Sequence, residues 1–273
     1  MHFRPILTVT LLAFACLPAL CAASPPAATA AGVIAKNQDA LVEIQATLSV
    51  KPELIDGPPG IGEMINEQPA EEQPANVNGV VIHSSGLVVA PLAALDPGTM
   101  LGGGMELETP MGPIKLGMKT TISSLKIITA DGHEYPAQII LREPAAGLAL
   151  IQLSTPPEGS LPTVILAPGL PAPSPFSQLF DLVRLEADFG RAPTVRLIRM
   201  VQMTSPPVPL FDVTGPLPTP GSAVFDMSGR FLGLSVIPLR GEGGGSSIAD
   251  IAQTGPSVLP TSEILRLCAK AMP

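Results

Sequence analysis

Between Leu41 and Val50 the side chains alternate without a break, with Val42, Ile44, Ala46, Leu48 and Val50 on one side and Glu43, Gln45, Thr47 and Ser49 on the other. A period of two is that of a strand with one face buried and the other near water. Such a strand needs neighbours, and the rest of the chain supplies short candidates for them. Gly79–Ala90 reads as a hairpin turning at Ser84–Gly86, and Leu125–Leu141 as two strands about Asp131-Gly132, a dipeptide that accepts the left-handed geometry of tight turns. Leu148–Leu153 is a compact apolar strand. Val164–Leu166, Leu179–Leu185, Thr194–Met203, Ser222–Asp226 and Phe231–Ile237 follow, the last two joined by a turn over Met227–Arg230. With 33 prolines and 26 glycines, the sequence excludes a helix-rich protein. One helix is expected at the end, capped by Thr261 and carrying Ile264, Leu265, Leu267 and Cys268 on one face.

The first residues have the form of a secretory leader. Arg4 precedes an apolar run from Ile6 to Ala19, and Leu20-Cys21-Ala22-Ala23 offers small residues for cleavage near Ala22 or Ala23. The run falls short of the roughly 20 apolar residues of a membrane span, so no transmembrane segment is expected after cleavage. A periplasmic or extracellular protein is expected. Cleavage removes Cys16 and Cys21 and leaves Cys268, a buried thiol on the terminal helix, without a disulfide partner. The formal charge of −8, with 15 lysines and arginines, argues against nucleic acid.

The organisation read from these segments is a leader over 1–23, a flexible segment with a short helix over 24–37, a first β-barrel lobe over 38–157, and a second lobe with the helix over 158–273. Prolines 156, 157 and 162 mark the boundary between lobes. Two stretches of the first lobe, 51–76 and 97–120, are rich in Pro, Gly and acidic residues and are expected as exposed loops. Short strands in two groups, without βαβ alternation, specify an all-β two-barrel domain.

Three phrases in order resemble the trypsin-like serine proteases of the bacterial HtrA/Deg type: Gly79–Leu95, Leu125–Leu153 and Pro218–Leu234, with a weaker fourth at Thr254–Leu265. The resemblance spans about residues 38–270 and implies two antiparallel β-barrel lobes, with no PDZ-like domain following. It also locates what is missing. The family's catalytic histidine falls on Ala93, its aspartate on Gly147 and its nucleophilic serine on Pro220, while Pro218 takes the place of a glycine whose amide donates to the oxyanion. A methyl group cannot take a proton, and proline has no N–H to donate. Ser222 is the outside candidate for a nucleophile if the alignment slips. His83 and His133 are read as exposed turn or strand residues.

No cofactor or metal site is expected: Glu67, Glu71 and Glu72 read as solvated carboxylates, and Gly243–Gly245 with Ser246 and Ser247 lacks the lysine and strand context of a phosphate loop. The resemblance implies a non-catalytic protein that holds a protein or peptide ligand in the groove between the lobes. The alternatives are an active serine endopeptidase or esterase with a displaced centre, and a structural remnant without ligand.

Overall fold

The computed structural model describes residues 26–58, 60–101, 104–204, 208–216, 218–238 and 256–271. The leader over 1–23, Cys16, Cys21 and the glycine run at 243–245 lie outside them.

Helix α1 (Pro26–Asn37) opens the described chain. It is longer than the short helix expected, because proline is tolerated in a first helical turn and the alanines that follow are strong helix formers. Its Val33 is 3% exposed and docks on the body. The alternating segment becomes β1 (Leu41–Asp56), followed by the short helix α2 (Ile61–Asn66), β2 (Glu71–His83) and β3 (Leu87–Pro91). A single helical turn, α3 (Leu92–Leu95), leads through a 3₁₀ turn to β4 (Met105–Thr109), β5 (Gly112–Ile128), β6 (Glu134–Glu143) and β7 (Leu148–Leu153). The sheet order is β1-β2-β3-β7-β6-β5-β4, and pairing of β5 back onto β1 closes the first six into a barrel with β4 outside it.

The second lobe contains β8 (Gln178–Arg184), β9 (Pro193–Thr204), β10 (Leu210–Thr214), β11 (Ala223–Asp226), β12 (Phe231–Val236) and β13 (Ser257–Pro260). They close in the order β10-β13-β12-β11-β8-β9. Every pairing in both barrels is antiparallel. Helix α4 (Thr261–Ala271) follows at once. The fold is all-β, two six-stranded antiparallel barrels and a short C-terminal helix, the two-barrel topology of the chymotrypsin/trypsin type.

The expected turns form at Ser84–Gly86, Asp131-Gly132 and Met227–Arg230, with Gly86, Gly132 and Gly229 all at positive φ. Four other expectations need correction. Much of 51–76 and 97–120 is regular structure rather than loop: β1 continues to Asp56, α2 spans Ile61–Asn66, β2 starts at Glu71, and β4 pairs with the first residues of β5. Val164–Leu166 is not a strand and joins no sheet, although the Val164 amide donates to Val81 O at 3.1 Å and its side chain is buried. Strand β10 was not anticipated. Thr261 is the first residue of α4 rather than its cap, and its hydroxyl donates to Phe231 O at 3.2 Å, drawn to the neighbouring strand.

Three clusters form the interior. One fills the first barrel, around Ile44, Val81, Ile127 and Ile151. A small one fills the second, around Leu179, Ile198, Phe211 and Val258. The largest lies between them, joining Leu41, Val89 and Leu150 to Phe180, Phe225 and Leu234 and taking in Val33 of α1 and Ile264 and Leu267 of α4. Cys268 belongs to this cluster as a free, buried thiol, pushed up in pKa by burial.

Candidate functional site

Where the barrels meet, a cavity of about 220 Å³ opens to solvent, lined among others by Glu43, Asn78, Ala94, Arg184, Glu186 and Pro220. The position of each lining element follows from backbone contacts across the lobes.

In the first lobe, β3 ends at Pro91 and the chain turns once through α3, whose Leu92 and Leu95 are fully buried. The Leu92 amide donates to Gly147 O at 2.8 Å, which ties α3 to the corner before β7. Ala93 is 5% exposed, and it is the next residue, Ala94, that faces the cavity. Gly147 has φ +64°, and a Cβ added there would lie 2.3 Å from Ile237 O of the second lobe. No side chain fits that contact without backbone movement.

The second lobe answers with a glycine of its own. Gly221 has φ +89°, and a Cβ there would lie 2.0 Å from Asn78 O and 3.2 Å from Pro91 Cδ, both in the first lobe. Glycines 147 and 221 therefore let each barrel press its backbone against the other. Sequence reasoning missed Gly221, although a signal was present in Thr219-Pro220-Gly221-Ser222. Proline and then glycine at the two centre positions is the preference of a type II turn. The turn closes through the Ser222 amide, which donates to Thr219 O at 2.9 Å.

The turn is held from beneath. Gly221 N donates to Ser235 O at 2.7 Å, and Ser235 N to Ser222 O at 2.9 Å. Pro218 is buried and Pro220 half-buried. Ser222 has no exposed surface, and its Oγ donates to Asp181, itself fully buried on β8. Arg196 of β9 grips the other oxygen of Asp181 through Nε at 2.8 Å and reaches Thr219 Oγ1 through Nη2 at 2.9 Å. Burial raises the pKa of the Asp181 carboxyl above the usual aspartate range, against the pull of Ser222 and Arg196. The Ser235 hydroxyl is buried on β12 without a partner among the described residues.

The cavity wall nearest β1 is a fork of hydrogen bonds. Arg184 is 7% exposed and donates to Gln38 O at 2.6 Å, Leu41 O at 3.3 Å and Arg191 O at 2.8 Å, while its own amide donates to Asn78 Oδ1 at 3.2 Å. Burial lowers the pKa of its guanidinium. Arg191, in the left-handed region at φ +52°, pairs through Nε with Glu43 Oε2 at 2.7 Å. Lobe two thus holds lobe one through charge-assisted bonds at the rim and glycine contacts at the floor.

Ala93, Gly147 and Pro220 are all at this junction, brought there by α3, the β6–β7 corner and the Pro218–Ser222 turn. His83 and His133 are not: each is exposed in a hairpin, the first beside Ser85 Oγ at 2.9 Å and the second 3.7 Å from Asp131. Glu67, Glu71 and Glu72 are exposed on the outer part of the first lobe. Among the described residues no three His, Cys, Asp or Glu side chains converge as metal ligands, and no helix is long and apolar enough to cross a membrane. No family model matches the chain, and no curated protein matches it.

Proposed function

We propose that this chain is a non-catalytic relative of the HtrA/Deg-type serine proteases, exported from the cytoplasm, whose inter-lobe cleft holds an extended segment of a protein or peptide. The observation that carries the reading is the turn Pro218–Ser222. Two of its five residues lack an N–H, and the amides of Gly221 and Ser222 are already engaged within the fold. Stabilising a developing oxyanion takes donors that are free and aimed at it. The hydroxyls on either side of the nucleophile position are both engaged: that of Ser222 is buried and committed to Asp181, and that of Thr219 accepts from Arg196 Nη2 at 2.9 Å. A general base must come within about 3 Å of the proton it takes, and neither histidine lines the cleft. The cavity beside Ala94 and Pro220 stays open for a ligand, and export is supported by the Arg4–Ala23 pattern.

The test has two arms, both on the mature protein, whose N-terminus should begin close to Ala23. A serine-directed fluorophosphonate should leave no label; labelling that disappears in Ser222→Ala would install the endopeptidase or esterase alternative instead. Extended peptides selected from a displayed random library should bind the wild type and lose binding to Ala94→Trp, whose indole fills the cavity. Peptides indifferent to that substitution, or none recovered, would leave a structural remnant without ligand.

A further inference from the structure

Outside the first barrel, β1 and β5 run on into an extension of the same sheet. Beyond the closed barrel, β1 and β5 continue as a pair, with Pro52 opposite Met118 and Leu54 opposite Leu116, and β4 adds to β5 with Met105 opposite Leu116 and Leu107 opposite Ile114. Residues directly opposite in an antiparallel pair share a face. One face of this extension is therefore apolar, from Leu54 through Leu116 to Met105 and Leu107, and the other carries Glu53, Lys115, Glu106 and Glu108. Gly57, between β1 and α2, lies against Ile114, which is 8% exposed, and Gly62 of α2 lies against Leu54, whereas Leu107 and Met118 stand 37% and 36% exposed. Strand β4 is the last in the sheet order, and among the described residues its outer edge pairs with nothing.

An edge of this kind is a template for another strand, and its side chains state which one. A strand added to β4 sets alternate residues beside Leu107 on the apolar face and the intervening ones beside Glu106 and Glu108. Glu106 has Lys115 across from it on the inner side, but Glu108 faces Pro113. A second copy of β4 fits poorly. In an antiparallel pairing about a twofold axis that keeps the apolar faces together, Glu106 meets Glu106 or Glu108, or Glu108 meets itself, and like charges directly opposite are unfavourable. The surroundings favour cations further: residues 51–76 and 97–120 carry eight carboxylates against three lysines, which is five of the chain's net eight negative charges.

We infer that the free edge of β4 takes up an extended segment of a partner protein in which apolar residues alternate with lysines or arginines. This surface lies on the first lobe alone and does not depend on the inter-lobe cleft.

The probe is a labelled Lys-Val-Lys-Val-Lys-Val-Lys peptide, with Glu-Val-Glu-Val-Glu-Val-Glu as its counterpart, titrated against the mature chain by fluorescence anisotropy. The lysine peptide should bind and the glutamate peptide should not. Glu106→Lys with Glu108→Lys should weaken the lysine peptide by about tenfold or more and admit the glutamate one. A lysine peptide N-methylated at every other residue, which keeps the charge but loses the ladder donors, should fail. On binding, hydrogen exchange should slow in 105–109 and stay unchanged at Ser235–Pro238 and in the cleft; Ala94→Trp should have no effect. Equal binding of both peptides, equal binding of the methylated probe, or protection confined to the cleft would overturn the inference. So would concentration-dependent dimerisation of the wild type that is abolished by Leu107→Pro, which would name a second copy as the occupant.

Discussion

The two barrels have the same strand number but are stabilised differently. The first has an interior of its own, fourteen described residues from five strands and the α3 turn, and strands long enough to continue past the barrel, 16 residues in β1 and 17 in β5. The second has seven described residues inside it, strands of 12 residues at most, and a closure between β10 and β13 that rests on a single ladder pair, Phe211 with Val258. What the second barrel lacks inside is made up outside: the shared cluster holds twenty-four described residues and includes its Phe180, Leu182, Phe225 and Leu234. The difference teaches that the wall between the barrels is the main core of the molecule, with the first barrel able to stand nearer to independence than the second.

The strongest way to break that comparison is to wedge the wall open. Gly147→Asp forces a Cβ to 2.3 Å from Ile237 O at a residue already at positive φ, and Gly221→Ala does the same to Asn78 O at 2.0 Å. Each should cost more than about 4 kcal/mol, the range reserved for core disruption, and abolish a cooperative urea transition or shift it to very low denaturant. The same geometry bears on repair of a catalytic triad: an aspartate at 147 has no room, so Ala93→His, Gly147→Asp and Pro220→Ser together should give no casein hydrolysis. A folded, active triple variant would mean that the barrels can separate at no great cost.

A smaller perturbation sharpens the comparison. Phe225 is fully buried in the shared cluster, edge-on to Phe231 at 5.6 Å, and its truncation to alanine should cost about 3–5 kcal/mol. Ile44→Ala, inside the first barrel, should cost about 2–5 kcal/mol. The distinction is in hydrogen exchange: Phe225→Ala should weaken protection in both barrels, Ile44→Ala chiefly in the first. Equal patterns would put the wall and the barrel interiors in one undivided core.

Arg184→Ala tests the rim. It strips the donor from three backbone carbonyls, those of Gln38, Leu41 and Arg191, and should cost about 2–3 kcal/mol by denaturation. Arg184→Lys should recover only part, because an ammonium cannot serve three diverging acceptors from one fixed plane.

The sequence disclosed most of this fold but little of the wall. Alternation in 41–50 and the turn glycines led directly to strands, because period and positive φ are local properties. The extension was hidden by its prolines, which look like breaks. Their places explain why they are not. Pro52 pairs with β5 but lies past Val50, where β2 ends its contact with β1; Pro74 pairs with β1 but lies before Val80, where β3 begins; Pro113 pairs with β4 but lies before the contact of β5 with β1. A proline whose missing N–H would have faced an open edge costs the ladder nothing. The location of the junction was partly legible: Gly147 and Pro220 lie where the lobes meet, and Ala93 precedes the cavity-lining Ala94. The Asp181–Arg196–Thr219–Ser222 network and the fit of Gly221 against Asn78 were not legible, since they join residues up to 143 positions apart and depend on how the barrels are set together.

The smallest effect expected is one of pH, and it concerns the turn between β11 and β12 in the second lobe. Asp226 accepts hydrogen bonds from Ser228 and from Arg230, which hold its carboxyl below the usual aspartate range although partial burial works against them. With a depressed folded pKa, the stabilisation is present above the ordinary aspartate value near 4 and is lost as pH falls through the depressed one. Asp226→Asn should therefore lower stability by under about 1 kcal/mol at pH 7, given the exposure of the Arg230 partner, and the gap should close as the pH falls below 4. A gap that widens in acid would reverse the assignment.

The shared cluster also sets the order in which the molecule can be completed. A chain made from its N-terminus presents Leu41, Val80, Val89 and Leu150 long before Phe225, Leu234, Ile264 and Leu267 exist to cover them. Until α4 is made, the shared cluster lacks Ile264, Leu267 and Cys268, and apolar surface stays open of the kind through which incomplete chains associate. Docking of this short helix is expected late: refolding should show a slow phase, carrying burial of the Cys268 thiol, after the first barrel has gained its hydrogen-bonded strands.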